Sequence, residues 1–405
     1  LQRVGYQAAV YRAKAASVSR LRFKDEDGRD FPEWEEKSLD ELCSTFKSGT
    51  GITSERISEE GQFPVYGGNG LRGYTDTFTH DGFFALVGRQ GALCGNINRS
   101  FGKSYISEHA IAVCANDESD TRWLAYKLEL LKLNRLSESS AQPGLSVTKL
   151  LKIKLKAPKK PEQTKIANFL TAVDEKISQL KQKCDLLTQY KNGVMQQIFS
   201  QALRFKDENG EDFSEWEEVT LGEIASFIKD GTHGTHQDSE DGEYYLLSAK
   251  NILNGKINYD DSDRKISQNE FNLIYKNYKL KAGDVLLTVV GTIGRVAIYT
   301  DEFSNVAFQR SVAFFRFDNQ NSQFVAQLFT SSAFQNLLLV NQVVSAQPGI
   351  YLGDLAKIIV NIPTKNEQTK IANFLTAIDD KITHAQAQLA AAKQYKQGLL
   401  QQMFA

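Results

Sequence analysis

The sequence predicts an α+β fold built as a pseudo-two-fold internal repeat: two mixed α/β domains, each followed by a long heptad-patterned helix. Three observations carry this. An opening segment occurs twice, LRFKDEDGRDFPEWEEKSLDEL at 21–42 and LRFKDENGEDFSEWEEVTLGEI at 203–224. A closing segment occurs twice, EQTKIANFLTAVDEKI at 162–177 and EQTKIANFLTAIDDKI at 367–382. The middles bracketed by these ends share little sequence but run through the same order of strand-like and helix-like patterns.

The openings lie 182 residues apart and the closings 205, so the second middle is 23 residues longer. The frame was duplicated and the centres diverged; a period this long is no solenoid. The organisation that follows is a segment of unclear status at 1–20, a domain at 21–160, a helix at 161–200, a second domain at 201–365 and a second helix at 366–405. Residues 1–20 are acid-free, with Arg3, Arg12, Lys14 and Arg20. They read as a leader or the remnant of an upstream helix rather than a transit peptide.

Composition fits this plan. A chain of 405 residues exceeds one ordinary domain, and 41% hydrophobic content with 10% aromatics supplies packed cores. No apolar run reaches membrane-spanning length. Cys43, Cys94, Cys114 and Cys184 are scattered and read as reduced core residues of a cytoplasmic protein. The net charge of −1 hides an uneven distribution: Lys149, Lys152, Lys154, Lys156, Lys159, Lys160 and Lys165 crowd one stretch.

In the closing segments, apolar residues recur at alternating spacings of four and three, the signature of a coiled-coil seam. In the first helix these are Ile166, Leu170, Val173, Ile177, Leu180, Cys184, Leu187, Val194 and Ile198; in the second, Ile371, Leu375, Ile378, Ile382, Ala385, Leu389, Ala392, Leu399 and Met403. Small Ala385 and Ala392 could accommodate Leu180 and Leu187. Pro161 suits a first helical position and Asn366 an N-cap. Lys191 and Lys396 interrupt the seam, and Gly193 and Gly398 follow. A mid-helix Gly costs ~1 kcal/mol relative to Ala. Either another backbone approaches there or both helices fray. The alternative to a coiled coil is two unrelated amphipathic helices, each packed on its own domain.

In the first middle, Phe83–Val87 and Tyr105–Val113 read as strands and 119–136 as a helix. In the second, Asp284–Val290, Arg295–Tyr299 and Ser311–Phe317 read as strands and 322–340 as a helix. Both then reach a Gln-Pro-Gly turn, at 142–144 and 347–349, followed by a last strand. The loops are polar and glycine-rich. Glycine permits close approach or sharp turns, and Arg, Asn, Gln and Lys pair with base edges and phosphates. Candidate DNA contacts are Asn69, Arg72, Arg89 and Gln90 in the first domain, and His233, His236, Lys250, Asn251, Arg295 and Arg310 in the second. For any single loop an ordinary hairpin turn explains the residues equally well.

Other motifs lack their context. Gly68-x-Gly70-x-x-Gly73 is followed by YTDTFTHDGFF rather than a helix, so it is no dinucleotide fingerprint. His233-x-x-His236 stands on a loop far from any Cys and reads as a solvent or DNA contact rather than a metal site. No Walker A, nucleophile-elbow or amino-methylation motif occurs, and no carboxylate stands out as a general acid or base.

Taken together, the order of repeats, the Phe-x-x-Trp openings (Phe31/Trp34 and Phe213/Trp216), the Glu-Gln-x-Lys-Ile-Ala helix starts and the Gln-Pro-Gly turns resemble the specificity subunits of Type I restriction–modification systems. The resemblance covers residues 21–405; no single motif is diagnostic, and the combination is specific. It implies that each middle is a target recognition domain reading one half of a bipartite, asymmetric site in double-stranded DNA. It implies that the two helices form an antiparallel coiled coil that docks two methyltransferase subunits and, through them, motor–nuclease subunits. It implies that the chain is not an enzyme and binds no cofactor: S-adenosylmethionine, ATP and Mg belong to the partners, and no membrane is involved. A helix of the seam's length spans ~50 Å, against ~34 Å for a turn of B-DNA, enough to separate two half-sites. The rival readings are a non-DNA scaffold presenting two binding modules, and a fused methyltransferase.

Overall fold

The computed structural model describes residues 21–91, 93–137, 144–343 and 348–404. The segment 1–20 and the Gln-Pro stretches of both shared turns, at 142–143 and, in part, 347–348, fall outside or at the edge of the described residues. The chain divides into two compact units, one drawn from 1–181 and 387–405, the other from 182–386.

In the first unit, β1 (Glu35–Ser38), α1 (Leu39–Leu42) and β2 (Cys43–Ser48) lead into β3 (Phe63–Gly67), β4 (Gly70–Thr75), β5 (Phe84–Gly88), β6 (Ile97–Ser100), β7 (Tyr105–Ile106) and β8 (Ala110–Ala115). Helix α2 (Thr121–Leu130), α3 (Val147–Leu151) and β9 (Lys154–Ala157) follow, and α4 (Lys160–Phe199) leaves the domain. Four strands form a sheet in the order β2-β8-β5-β6, three form a sheet in the order β4-β3-β7, and β1 pairs with β9. In the three-stranded sheet β3 runs parallel to β7. Strand β5 is apolar throughout because it lies in the middle of its sheet and is buried along most of its length.

In the second unit the elements are β10 (Glu217–Thr220), α5 (Leu221–Ile224), β11 (Phe227–Asp230), β12 (Tyr244–Leu247), β13 (Ile252–Leu253), β14 (Lys256–Ile257), β15 (Lys265–Ile266), α6 (Gln268–Tyr275), β16 (Val285–Thr288), β17 (Val296–Ile298), β18 (Val306–Phe308) and β19 (Val312–Arg316). Then come α7 (Ser322–Thr330), α8 (Ser332–Asn341), α9 (Leu352–Ala356), β20 (Ile359–Ile362) and α10 (Lys365–Met403). The sheets repeat the first unit strand for strand: β11-β19-β16-β17, β15-β12-β18, and β10 with β20. The additional length falls in two places. The tight β3–β4 turn becomes a long β12–β15 connection carrying the β13–β14 hairpin, and α6 is inserted before β16.

Local chemistry corrects several expected spans. The strand expected over Tyr105–Val113 is split into β7 and β8 by a turn at 107–109, where Ala110 N donates to Ser107 O. The helix expected over 322–340 is two helices. Buried Ser331 ends α7 by donating its hydroxyl to Leu328 O at 2.7 Å, and it caps α8 by accepting from Phe334 N. The helix expected over 119–136 stops at Leu130, followed by a 3₁₀ turn at Leu133–Leu136. Helices α4 and α10 begin at Lys160 and Lys365, so Pro161 and Asn366 both lie one residue inside.

The duplicated ends make one repeated joint. Arg22 donates from Nε and Nη2 to both oxygens of Glu162, at 3.0 and 2.8 Å, and also to Phe31 O and Pro32 O. Arg204 does the same to Glu367, at 3.0 and 2.9 Å, and to Phe213 O and Ser214 O. Both glutamates are fully buried. Asp25 and Asp207 accept backbone N–H groups to close the turns that follow them, which pass through Gly28 and Gly210 at φ 79° and 83°. Phe23 packs edge-on against Phe169, and Phe205 against Phe374. Gln163 and Gln368 each donate to the carbonyl of a preceding proline and accept from Asp120 N and Asn321 N, the N-cap residues of α2 and α7. Each mixed α/β domain is therefore bolted to the start of its long helix by the same residues.

Within each unit the start of one long helix packs against the end of the other. Ile166, Ala167 and Leu170 share a core with Leu399, Leu400, Met403 and Phe404. Ile371, Ala372, Leu375 and Ile378 share one with Val194, Met195 and Ile198. This is an antiparallel helix pair. Ile166, Leu170, Leu180, Ile371, Leu375, Ile378 and Leu399 are buried, and Val173, Ile177, Leu187, Ile382 and Leu389 are half-buried. Neither explanation of Gly193 and Gly398 holds. Apart from their own helix's neighbouring backbone, no described atom lies within 4 Å of where their Cβ would stand, and the helices continue to Phe199 and Met403.

Candidate nucleic-acid interface

In the first unit, the expected contact residues lie on turns, or beside them on β4, that the topology gathers at one end of the two sheets. Asn69 sits in the β3–β4 turn and Arg72 follows on β4. Arg89 and Gln90 follow β5. The turns meet closely enough to require glycine. A Cβ on Gly68 would stand 2.8 Å from His109 O, and one on Gly88 would stand 2.6 Å from Gly68 O. Arg89 N donates to His109 O at 2.9 Å, and the imidazole Nδ1 of His109 lies 3.3 Å from Gln90 Oε1. Asn69, Arg72 and Gln90 are exposed and Arg89 is half-buried. Among the described residues, the side chains of Asn69, Arg72 and Arg89 have no hydrogen-bonding partner.

The same end of the second unit keeps one element of this plan and differs in its side chains. Gly231 packs against Phe308 O and Gln309 O, as Gly49 packs against Ile106 O and Ser107 O. Thr232 bridges to Gln309 as Thr50 bridges to Ser107. Arg310 N donates to Thr232 O, leaving the exposed guanidinium without a partner among the described residues. His236 is engaged at both nitrogens, Nδ1 with Glu270 at 2.7 Å and Nε2 with the Thr232 hydroxyl at 2.6 Å. His233 pairs with Asp230 at 2.7 Å and is exposed.

Asn251 lies inside the fold. It is 4% exposed, donates to Asn258 O and Asp263, and accepts from Ser248 N. Lys250 is exposed and reaches Asp263 at 2.7 Å. Burial would raise the Asp263 carboxyl, but hydrogen bonds from Lys250, Asn251 and Asp260 N hold it below the ordinary carboxylate range. Arg295 is half-buried and donates to Ile252 O. The structure thus leaves Arg310, His233 and Lys250 most accessible and gives Asn251 and His236 work in holding the loops.

Sequence reasoning missed His109, Ser107 and Gln309, which stand among these loops only because parallel β3–β7 and β12–β18 pairing brings them there. It also missed Glu270 and Asp263, the carboxylates that fix His236 and Lys250. The long β12–β15 connection, where the surplus residues sit, was the one available signal.

No group of three or more metal-ligating side chains occurs among the described residues. All four cysteines are free, and burial pushes the thiol of Cys43, which packs against the first core, up to about 12, disfavouring the reactive thiolate. Among the described residues no helix is long and apolar enough to cross a membrane.

The chain thus carries two α/β domains of one plan, differing in the loops at a common end and each bolted to paired long-helix segments. The family model for the Type I restriction modification DNA specificity domain matches twice, at residues 32–189 and 213–394, and the chain belongs to that family. It is similar to the EcoprrI specificity subunit of Escherichia coli, 36% identical over 174 residues, covering 40% of this chain and 42% of that one. It is also similar to a putative Type I specificity subunit of Haemophilus influenzae, 24% identical over 351 residues, covering 85% and 86%. The alignment thus spans under half of the first relative and most of the second. A crystal structure of the Type I S subunit of M. genitalium shares the fold, with a TM-score of 0.65 and 17% identity, over 96% of this chain and 99% of that one. These kinships do not favour the scaffold reading.

Proposed function

We propose that the chain is the DNA-specificity subunit of a Type I restriction–modification complex. It recognises a bipartite, asymmetric site in duplex DNA through two target recognition domains, at 21–160 and 201–365, and carries no catalytic centre of its own. One observation supports this above the others: two domains with identical sheet order present different side chains and different connection lengths at the same end. A duplicated frame suits identical partners, here two methyltransferase subunits, and divergent loops suit two different half-sites. Affinity comes from phosphate contacts and sequence choice from loop side chains on base edges.

In the first domain Asn69, Arg72, Arg89 and Gln90 make contacts, with His109 orienting Gln90. In the second, Arg310, His233, Lys250 and Arg295 do, on loops stiffened by His236 and Asn251. S-adenosylmethionine, ATP and Mg are held by partner subunits, including motor–nuclease subunits, and the complex works in the cytoplasm.

The test is duplex-DNA binding by the chain assembled with its methyltransferase partner, across a salt series. Binding that weakens steeply with salt and prefers one two-part sequence supports the reading. Salt-independent binding, or S-adenosylmethionine binding by the chain alone, refutes it.

A further inference from the structure

The β13–β14 hairpin, part of the second domain's additional length, has one face in the core and one in solvent. Ile252 pairs with Ile257 and Leu253 with Lys256. Side chains alternate along a strand, so the first pair points to one side of the hairpin and the second to the other. Ile252 and Ile257 are buried in the core that also holds Ala297 of β17. Leu253 is 45% exposed, and Lys256 beside it is exposed.

The hairpin is stiff. Its turn is Asn254-Gly255, with φ positive at both residues, 54° and 75°, as a two-residue type I′ turn requires. Asn258 donates its side-chain amide to Leu253 O and Lys256 O. At the base, buried Asn251 donates to Asn258 O and accepts from Asn258 N through its own carbonyl. Arg295 clamps Ile252 O from the start of β17.

The hairpin also stands at the proposed contact end. Strand β12 ends at Leu247, opposite Phe308, the last residue of β18, and Gln309 N donates to Leu247 O. Ala249 N then donates to the Ser311 hydroxyl oxygen. The hairpin follows directly, beside the turn that carries Arg310. At the matching point of its chain the first domain has the short turn that carries Asn69. The carboxylates that follow the hairpin are engaged: Asp260 by Ser262, Asp261 by Lys265, and Asp263 by Lys250 and Asn251. The outward face therefore offers one apolar side chain and one ammonium.

We propose, on the basis of the DNA-specificity function above, that this hairpin is a β-ribbon reader of the second half-site. Two strands stand ~4.8 Å apart, and the major groove of B-DNA, ~12 Å wide, admits a two-stranded ribbon. Leu253 packs on the methyl group of a thymine, and Lys256 donates to the edge of a nearby guanine. The additional length of the second domain thus serves sequence choice.

The test uses the complex assembled with the full chain and a duplex carrying the sequence it prefers. Thymines of the second half-site are replaced one at a time by deoxyuridine, which lacks the methyl group. The expected result is that one replacement weakens binding by the parent and leaves binding by Leu253→Ala unchanged. Protection of guanine N7 from dimethyl sulfate is read in parallel. The parent protects a guanine in the second half-site that Lys256→Ala leaves open, and the first half-site is protected equally by both. A replacement that weakens parent and Leu253→Ala alike, or no effect of any replacement, overturns the proposal. So does a Lys256→Ala complex that protects the same guanines and only binds all duplexes more weakly, which would make Lys256 a phosphate anchor. A parent complex with no preference for a two-part sequence would instead refute the DNA-specificity function itself, and this inference with it.

Discussion

Truncating Arg22 tests whether the duplicated joint holds the first α/β domain together. Glu162 is fully buried, and its carboxylate takes two hydrogen bonds from Arg22 and one from Trp34 Nε1 at 3.2 Å. Arg22→Ala leaves that charge inside with the indole as its remaining partner. Breaking a buried pair from one side costs about 3–5 kcal/mol. For a unit of roughly 200 residues, at ~2–4 °C per kcal/mol, the unfolding transition falls by roughly 6–20 °C. Replacing both partners, as Arg22→Met with Glu162→Met, costs less than the single change, because no charge is stranded. Calorimetry on the full chain reads both, and Arg204→Ala should reproduce the effect through Glu367. A loss below ~1 kcal/mol, the worth of an exposed pair, would refute the reasoning, and so would a double variant worse than the single one.

Further consequences separate the two copies. Trp34 donates to Glu162, whereas the buried Trp216 Nε1 has no partner among the described residues. Trp34→Phe should therefore cost ~1.5–3 kcal/mol more than Trp216→Phe, since only the former loses a hydrogen bond to a charged group; equal losses in denaturant titrations would contradict this. Burial, helped by nearby Lys47, lowers the His80 pKa from its ordinary 6.5. The unfolded chain then binds the proton first, so stability is full above that value and is lost as pH falls from 6.5 through the folded pKa. His80→Phe should flatten that slope in unfolding curves between about pH 7 and 5, and an unchanged slope would assign the effect elsewhere. Arg72→Ala and Arg89→Ala should weaken DNA binding by the assembled complex. A lost phosphate contact lowers the salt slope by ~0.9, and a lost base contact costs ~1–3 kcal/mol at the first half-site alone. A loss shared by both half-sites would count against these assignments.

The frame was legible because it is written twice and in local code. Arg22 and Glu162 stand far apart in the chain, yet both recur, as Arg204 and Glu367, and their shared recurrence marks them as parts of one structure. The heptad spacing of Ile166 to Ile198 announced a helix pair by periodicity alone. Lys191 and Lys396 looked like defects because their aspartates, Asp379 and Asp174, lie on the opposite helix, where no short-range pattern reaches. The proposed contact surface was less legible for a similar reason. His109 and Gln309 join it through parallel strand pairing across intervening elements. Asn251 carries the amide expected of a base reader, but spends it on Asn258 and Asp263. Type of side chain marks capacity for a contact, and only the fold decides whether solvent can reach it. Ser331 shows the same limit at the level of a helix, since a buried hydroxyl divided a continuous apolar pattern into α7 and α8.

The most direct test of the bipartite reading is to map modified adenines in DNA methylated by the complex assembled with this chain. The same map is then made with residues 37–160 replaced by the corresponding segment of a relative. The expected outcome is a two-part motif interrupted by unread base pairs, in which the exchange alters one part and leaves the other intact. A continuous motif, or an exchange that alters both parts, would contradict two independent readers on one frame.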